Sequence, residues 1–149
     1  MAAQPYWYLV PWEEDPQDAL DLLRQREFEA GRYNPVMTRL DFAEPAFSKQ
    51  YRKAQHDSIE DAIMDAGEEG TRSILDIHQI GERADFGVAA PMPRAALLEL
   101  YGTEHPTVNA VRANKDFLRW AAPAQCIYLT VHDAKGEPAH YVFAGRSFG

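Results

Sequence analysis

Arg72, Asp76 and His78 stand within one short stretch, "GEEGTRSILDIHQIG" (Gly67–Gly81), and their types and spacing suit them best to chemistry. The backbone N–H groups of a glycine-rich turn can hold an anion, and Arg72 could pair with it. On an extended chain Asp76 and His78 share a face, where a carboxylate can orient an imidazole as a general base. These three are the candidate catalytic residues. Two features oppose that reading. A phosphate loop leads from a strand into a helix, whereas here a helix is expected to end and a strand to begin. Glu68 and Glu69 would also repel an anion. Glycines that stop a helix at Gly67 and turn the chain at Gly70 explain the stretch more simply.

No other motif indicates catalysis. Asp76 and His78 are too few for a metal site, and spacing supplies no third ligand. His132 and His140 flank an expected hairpin and could lie opposite each other, but nothing brings them to His78. H-E-x-x-H, C-x-x-C and G-x-G-x-x-G are absent, and "GRSFG" (Gly145–Gly149), though it has the letters of G-x-S-x-G, is not expected as a nucleophile elbow, because it lies where a catalytic elbow would lack its helix. No metal and no cofactor is expected, and the balance leans away from an enzyme. Cys126, the single cysteine, sits in the apolar run "AQCIYLTV" and reads as a buried, inert thiol. A lone cysteine fits a reducing, cytoplasmic setting.

Charge gives a clearer signal. The 149 residues carry 23 acids against 15 bases, a formal net charge of -8. That balance opposes a phosphate backbone, so nucleic acid is not an expected partner, and it favours encounter with a basic protein. Glu13, Glu14 and Asp15 gather ahead of the first expected helix; Asp57, Glu60, Asp61, Asp65, Glu68 and Glu69 gather along a later one. These are the candidate partner-binding residues. At helical spacing Asp57, Glu60, Asp61 and Asp65 form one anionic face, in which each like-charge pair costs a few tenths of a kcal/mol. A solvated face is the plain alternative.

The elements that would position these residues follow from period and punctuation. "YWYLVPW" (Tyr6–Trp12) reads as a strand. Alternation turns Tyr6, Tyr8 and Val10, or else Trp7, Leu9 and Pro11, away from the core, unless the strand is buried on both sides. An exposed aromatic strand would suit a homodimer. Pro16 opens a helix with Leu20, Leu23 and Phe28 inward, and Gly31 stops it. "RLDFAEPAF" shows no period, and "SKQYRKAQ", with Lys49, Arg52 and Lys53, reads as a short basic helix or a mobile segment. "DSIEDAIMDAG" is a helix capped at Asp57 or Ser58, with Ile59, Ala62, Ile63 and Ala66 as its buried stripe. "RSILDIHQI" is expected as a strand that "GERAD" turns back into "FGVAAPMP" as a hairpin. Two further helices start at Pro93 and near Thr107, the second carrying Val108, Val111, Phe117, Leu118 and Trp120. "DAKGEP" joins the last two strands as a hairpin.

This order predicts a single α+β domain over residues 1–149, with a four- or five-stranded antiparallel or mixed sheet and helices packed on one face. No apolar run approaches the roughly 20 residues that cross a bilayer. The N-terminus has no basic region ahead of a long apolar core, so a secretory leader is not expected. "FEAGRYNPV", "EEGTRSILDI" and "VFAGRSF" resemble stretches of small bacterial proteins of unassigned function. The resemblance implies a compact bacterial protein and supplies no catalytic residue. The expected function is a small acidic protein-binding module, with an immunity or inhibitor protein that neutralises a basic toxin or nuclease as its concrete form. The alternative is a small enzyme or ligand-binding domain that uses Arg72, Asp76 and His78.

Overall fold

The computed structural model describes residues 3–37 and 53–148. "RLDFAEPAF", with its expected turn at Glu44–Pro45, and most of the basic segment, including Lys49 and Arg52, lie outside the described residues. The elements run β1 (Pro5–Pro11), α1 (Pro16–Glu29), α2 (Ile59–Ala66), β2 (Gln79–Ile80), β3 (Val88–Pro91), α3 (Arg94–Tyr101), α4 (Val108–Ala113), β4 (Cys126–His132) and β5 (Pro138–Arg146). The sheet has five strands in the order β1-β5-β4-β3-β2. It is mixed: β5 runs antiparallel to both its neighbours, β1 and β4, and β4, β3 and β2 run parallel. The α+β class and the mixed sheet are as the sequence suggests.

Helices cover both faces of this sheet, where the sequence suggested one. The strands themselves give the reason, because both sets of alternate residues in β1 are apolar. Tyr6, Tyr8 and Val10 pack with Leu20 and Leu23 of α1 and with Ile74, Ile77 and Phe143. Trp7 and Leu9 pack on the opposite side with Ala96, Val111, Phe117, Ile127 and Val142, beneath α3 and α4. Neither aromatic face of β1 is left to water; only its outer edge is open. The link from β3 to β4 contains α3 and α4, as a parallel pair requires a long crossover.

Local signals explain the helices. Asp15 caps α1 by accepting from the Gln17 N–H at 2.9 Å, and Pro16 occupies the first turn. Ser58, not Asp57, caps α2, accepting from the Asp61 N–H at 3.1 Å. Gly31 follows α1 with φ 68°, and a Cβ there would meet the Lys53 carbonyl oxygen at 2.5 Å, so only glycine lets the two backbones approach. The expected helix from Thr107 to Trp120 is split into α4 and a 3₁₀ turn, Asp116–Trp120. Asn114 separates them: its side chain binds the Leu100 carbonyl and accepts from the Asp116 N–H.

The hairpin between β2 and β3 does not form. The two strands pair in parallel, Gln79 with Val88 and Ile80 with Ala89. The expected strand over "RSILDIHQI" shrinks to two residues, because Ser73 accepts from the Leu75 N–H at 3.2 Å and caps a 3₁₀ turn, Ile74–Asp76. Short polar side chains that bond nearby backbone compete with a sheet ladder in this way. The β4–β5 hairpin does form, closed by Asp133, which accepts from the N–H groups of Lys135 and Glu137. The two ends of the described chain meet at the same end of the sheet: the Ser147 N–H donates to the Gln4 carbonyl, and the Gln4 N–H donates to Ser147 Oγ.

Candidate functional site

The turn at Gly67–Gly81 does hold an anion, and the anion is its own. Asp76 Oδ1 accepts from the Thr71 N–H at 2.9 Å and from Thr71 Oγ1 at 2.8 Å, and Thr71 Oγ1 also meets Ser73 Oγ at 2.8 Å. Gly70 (φ 73°) and Arg72 (φ 52°) both take left-handed backbone to bring these groups around the carboxylate. A Cβ on Gly70 would stand 2.8 Å from Asp76 Oδ2 and 2.5 Å from the Phe148 ring. Burial raises the Asp76 pKa, against the hydrogen bonds from the Thr71 and Arg72 backbone and the charge of Arg24, which lower it. Asp76 Oδ2 and the Tyr6 hydroxyl are both buried without a hydrogen-bond partner.

Asp76 and His78 share no hydrogen bond. The His78 ring lies exposed over Gly87, where a Cβ would meet its Cε1 at 2.5 Å, and the Arg72 guanidinium lies 3.8 Å from Glu69. The 3₁₀ turn breaks the strand period that would have put Asp76 and His78 on one face. Arg72, Asp76 and His78 therefore assemble no catalytic constellation, and none of them lines the histidine cleft described below.

The acidic residues divide by what they touch. Asp57, just before α2, Glu60 and Asp61 on it, and Glu68 and Glu69 after it are exposed, and Asp65 is held by His56 at 2.8 Å. That same imidazole meets the buried Tyr33 hydroxyl at 2.7 Å, so a Tyr33–His56–Asp65 chain fixes α2 to the segment after α1. Of the expected apolar stripe, Ala62 alone is buried. Ile63 is 36% exposed and its neighbour Met64 80%. Helical spacing sets Met64 beside Glu60 and Asp61. At the start of α1, Asp15 is engaged as the cap, Glu14 is exposed and Glu13 is half-buried.

A third region was not legible in the sequence. His132 does not face His140: the register pairs His140 with Val131 and His132 with Pro138, across a bulge. Instead His132 Nε2 lies 3.1 Å from His105 Nδ1, with ring centroids 4.4 Å apart. Burial, and then the neighbouring His105, lower the His132 pKa, and its Nδ1 has no partner. The pair lies in a cleft of about 310 Å³ with Trp12, Met92, Glu104 and Tyr128. The two histidines stand 27 positions apart, a separation that carries no spacing signal. Glu27 was missed as well. It is buried in α1 and held by the guanidinium groups of Arg32 and Arg26, and only its place on the apolar side of the helix could have marked it.

Family models, curated proteins and solved structures were compared with the chain. None matches it. The chemistry of the molecule has to be read from its own residues. Among the described residues, no group of three or more His, Cys, Asp or Glu side chains is placed to hold a metal ion, and no helix is long and apolar enough to cross a membrane. Cys126 is buried, and its pKa is raised by that burial.

Proposed function

We propose that this chain is a small acidic protein-binding module of a bacterial cytoplasm that docks a basic protein on α2. Its concrete form is an immunity or inhibitor protein that neutralises a basic toxin or nuclease. The exposure of Met64 beside the exposed Glu60 and Asp61 carries this reading. An apolar centre inside a charged rim is the anatomy of a binding patch, and methionine adapts its shape to a partner. The net charge of -8 would steer a basic protein toward it.

Capture from a lysate of the source organism, with the wild type and an Asp61→Lys/Met64→Asp variant in parallel, tests the proposal. Basic proteins should bind the wild type, leave as salt rises and be missing from the variant; a captured nuclease or toxin should then lose activity when wild-type protein is added. Capture that ignores the variant, or partners that are not basic, would overturn it. A second reading, a small ligand-binding or catalytic domain, now rests on the His105–His132 cleft instead of Arg72, Asp76 and His78. Its test is a change in imidazole NMR signals confined to His105 and His132 on titration with a small-molecule panel.

A further inference from the structure

β4 ends at His132, and the segment that enters α4 is laid against that end. The His132 N–H donates to the Pro106 carbonyl at 2.8 Å, and Thr107 pairs with His132 in a parallel bridge. These bonds hold His105 beside the strand end, where its own N–H donates to Thr103 Oγ1 at 3.0 Å. Two imidazoles from distant parts of the chain therefore face each other through His105 Nδ1 and His132 Nε2, 3.1 Å apart. A single proton on one of these nitrogens makes the contact a hydrogen bond. When His105 is the donor, moving that proton to its Nε2 leaves two lone pairs face to face, and the ring is exposed, so water can carry out the exchange. His132 Nδ1, buried without a partner, is in the same state before and after. With metal–nitrogen bonds of about 2 Å, two donors on a three-coordinate ion stand about 3.5 Å apart, so the rings need to separate by only about 0.4 Å to admit one.

The neighbouring donors choose the ion. Zinc takes four ligands, and among the described residues no further His, Cys, Asp or Glu joins the pair as a ligand. Glu104 is the one carboxylate that lines the cleft, and Arg94 holds it at 2.8 Å. Met92 lines the same cleft and brings a thioether, a soft donor that selects Cu(I). A closed-shell monovalent ion is satisfied by two or three neutral donors of these kinds. We propose that His105 Nδ1 and His132 Nε2, with the Met92 thioether as third donor, form a binding site for Cu(I). The proposal rests on the reading of this cleft as a ligand site and makes no use of α2.

Two titrations of the full chain test it: Cu(I) without oxygen, against a chromophoric Cu(I) chelator, and Ag(I), which is stable to oxidation, followed by NMR. One ion should bind per chain. Ag(I) should shift the ring signals of His105 and His132 and the methyl signal of Met92, and leave His56, His78 and His140 unchanged. X-ray absorption of the Cu(I) complex should show two nitrogen neighbours and one sulfur. His105→Ala, at an exposed position, should keep the fold and weaken Cu(I) binding by about 100-fold or more, and Met92→Leu, which conserves volume, by about tenfold. Cys126→Ala, which removes the buried thiol, should bind as the wild type does. Full affinity in His105→Ala or Met92→Leu, coordination by Cys126, or tighter binding of zinc than of Cu(I) would overturn the proposal. Shifts at His105 and His132 with a small organic ligand but not with Ag(I) would overturn it and leave the cleft reading standing; no response to either would end both.

Discussion

α1 and α2 are both acidic and both capped by a side chain, yet they spend their apolar residues differently. α1 buries Ala19, Leu20, Leu23 and Phe28 against the sheet and neighbouring turns, and it encloses a carboxylate, Glu27, between two arginines. α2 buries one residue, Ala62, and turns Met64 to water among its acids. Acidic residues on a helix with a filled apolar face need no partner; solvent satisfies them. Acidic residues around an unused apolar side chain are a surface that another molecule can complete. Acidic charge thus has different meanings in the two helices.

The largest expected effect lies in the α1 core. Leu20→Ala or Leu23→Ala should lower unfolding free energy by about 2–5 kcal/mol in denaturant titration, whereas Met64→Ala should change it by less than about 0.5 kcal/mol. Equal losses in the two helices would end the contrast. Next is Glu27→Ala, which removes charge-assisted hydrogen bonds from Arg32 and Arg26. A loss of about 1–3 kcal/mol is expected, with half-exposed arginines recovering part of it through water. The caps should behave alike if both helices are held by the same local chemistry. Asp15→Ala and Ser58→Ala should each cost about 1 kcal/mol, measured by thermal melting.

The smallest effects are the pH dependences of two groups beyond these helices, and they have opposite signs. His132 has its pKa lowered from 6.5, so the unfolded chain takes the proton more readily. Its contribution is present above about pH 6.5 and is lost as pH falls through the folded value. Asp76 has its pKa raised from 3.8, so the folded chain holds the proton more readily. Its contribution is greatest in acid and declines as pH rises through the folded value. His132→Gln should therefore flatten the fall in melting temperature on acidification. Asp76→Asn should flatten the decline on the other side, and an unchanged profile in either variant would reject the assignment.

Much of the frame was legible because its signals are local. Pro16, the spacing of Leu20, Leu23 and Phe28, and Gly31 define α1, and "DAKGEP" between two β-rich runs defines the final hairpin. The failures occurred where a side chain outbid a period. Ser73 and Asp76 bond the nearby chain and dissolve the strand that would have aligned Asp76 with His78. Ile63 fits the spacing of a buried stripe, but periodicity does not tell whether anything covers it. The candidate site was legible only in its acids; the His105–His132 contact depends on a meeting of distant segments that no local pattern encodes.

The junction of Gln4 with Ser147 has a mechanical consequence. Because β1 and β5 are antiparallel and both chain ends leave from the same end of that pair, tension applied through the ends does not shear the ladder. It loads the Gln4–Ser147 rung first and then each following rung in turn, so the strands unzip at low force toward Pro11 and His140. A pull from Gln4 against the β4–β5 turn instead runs along β1 and would load many rungs together. The fold should yield easily in the first direction and resist in the second.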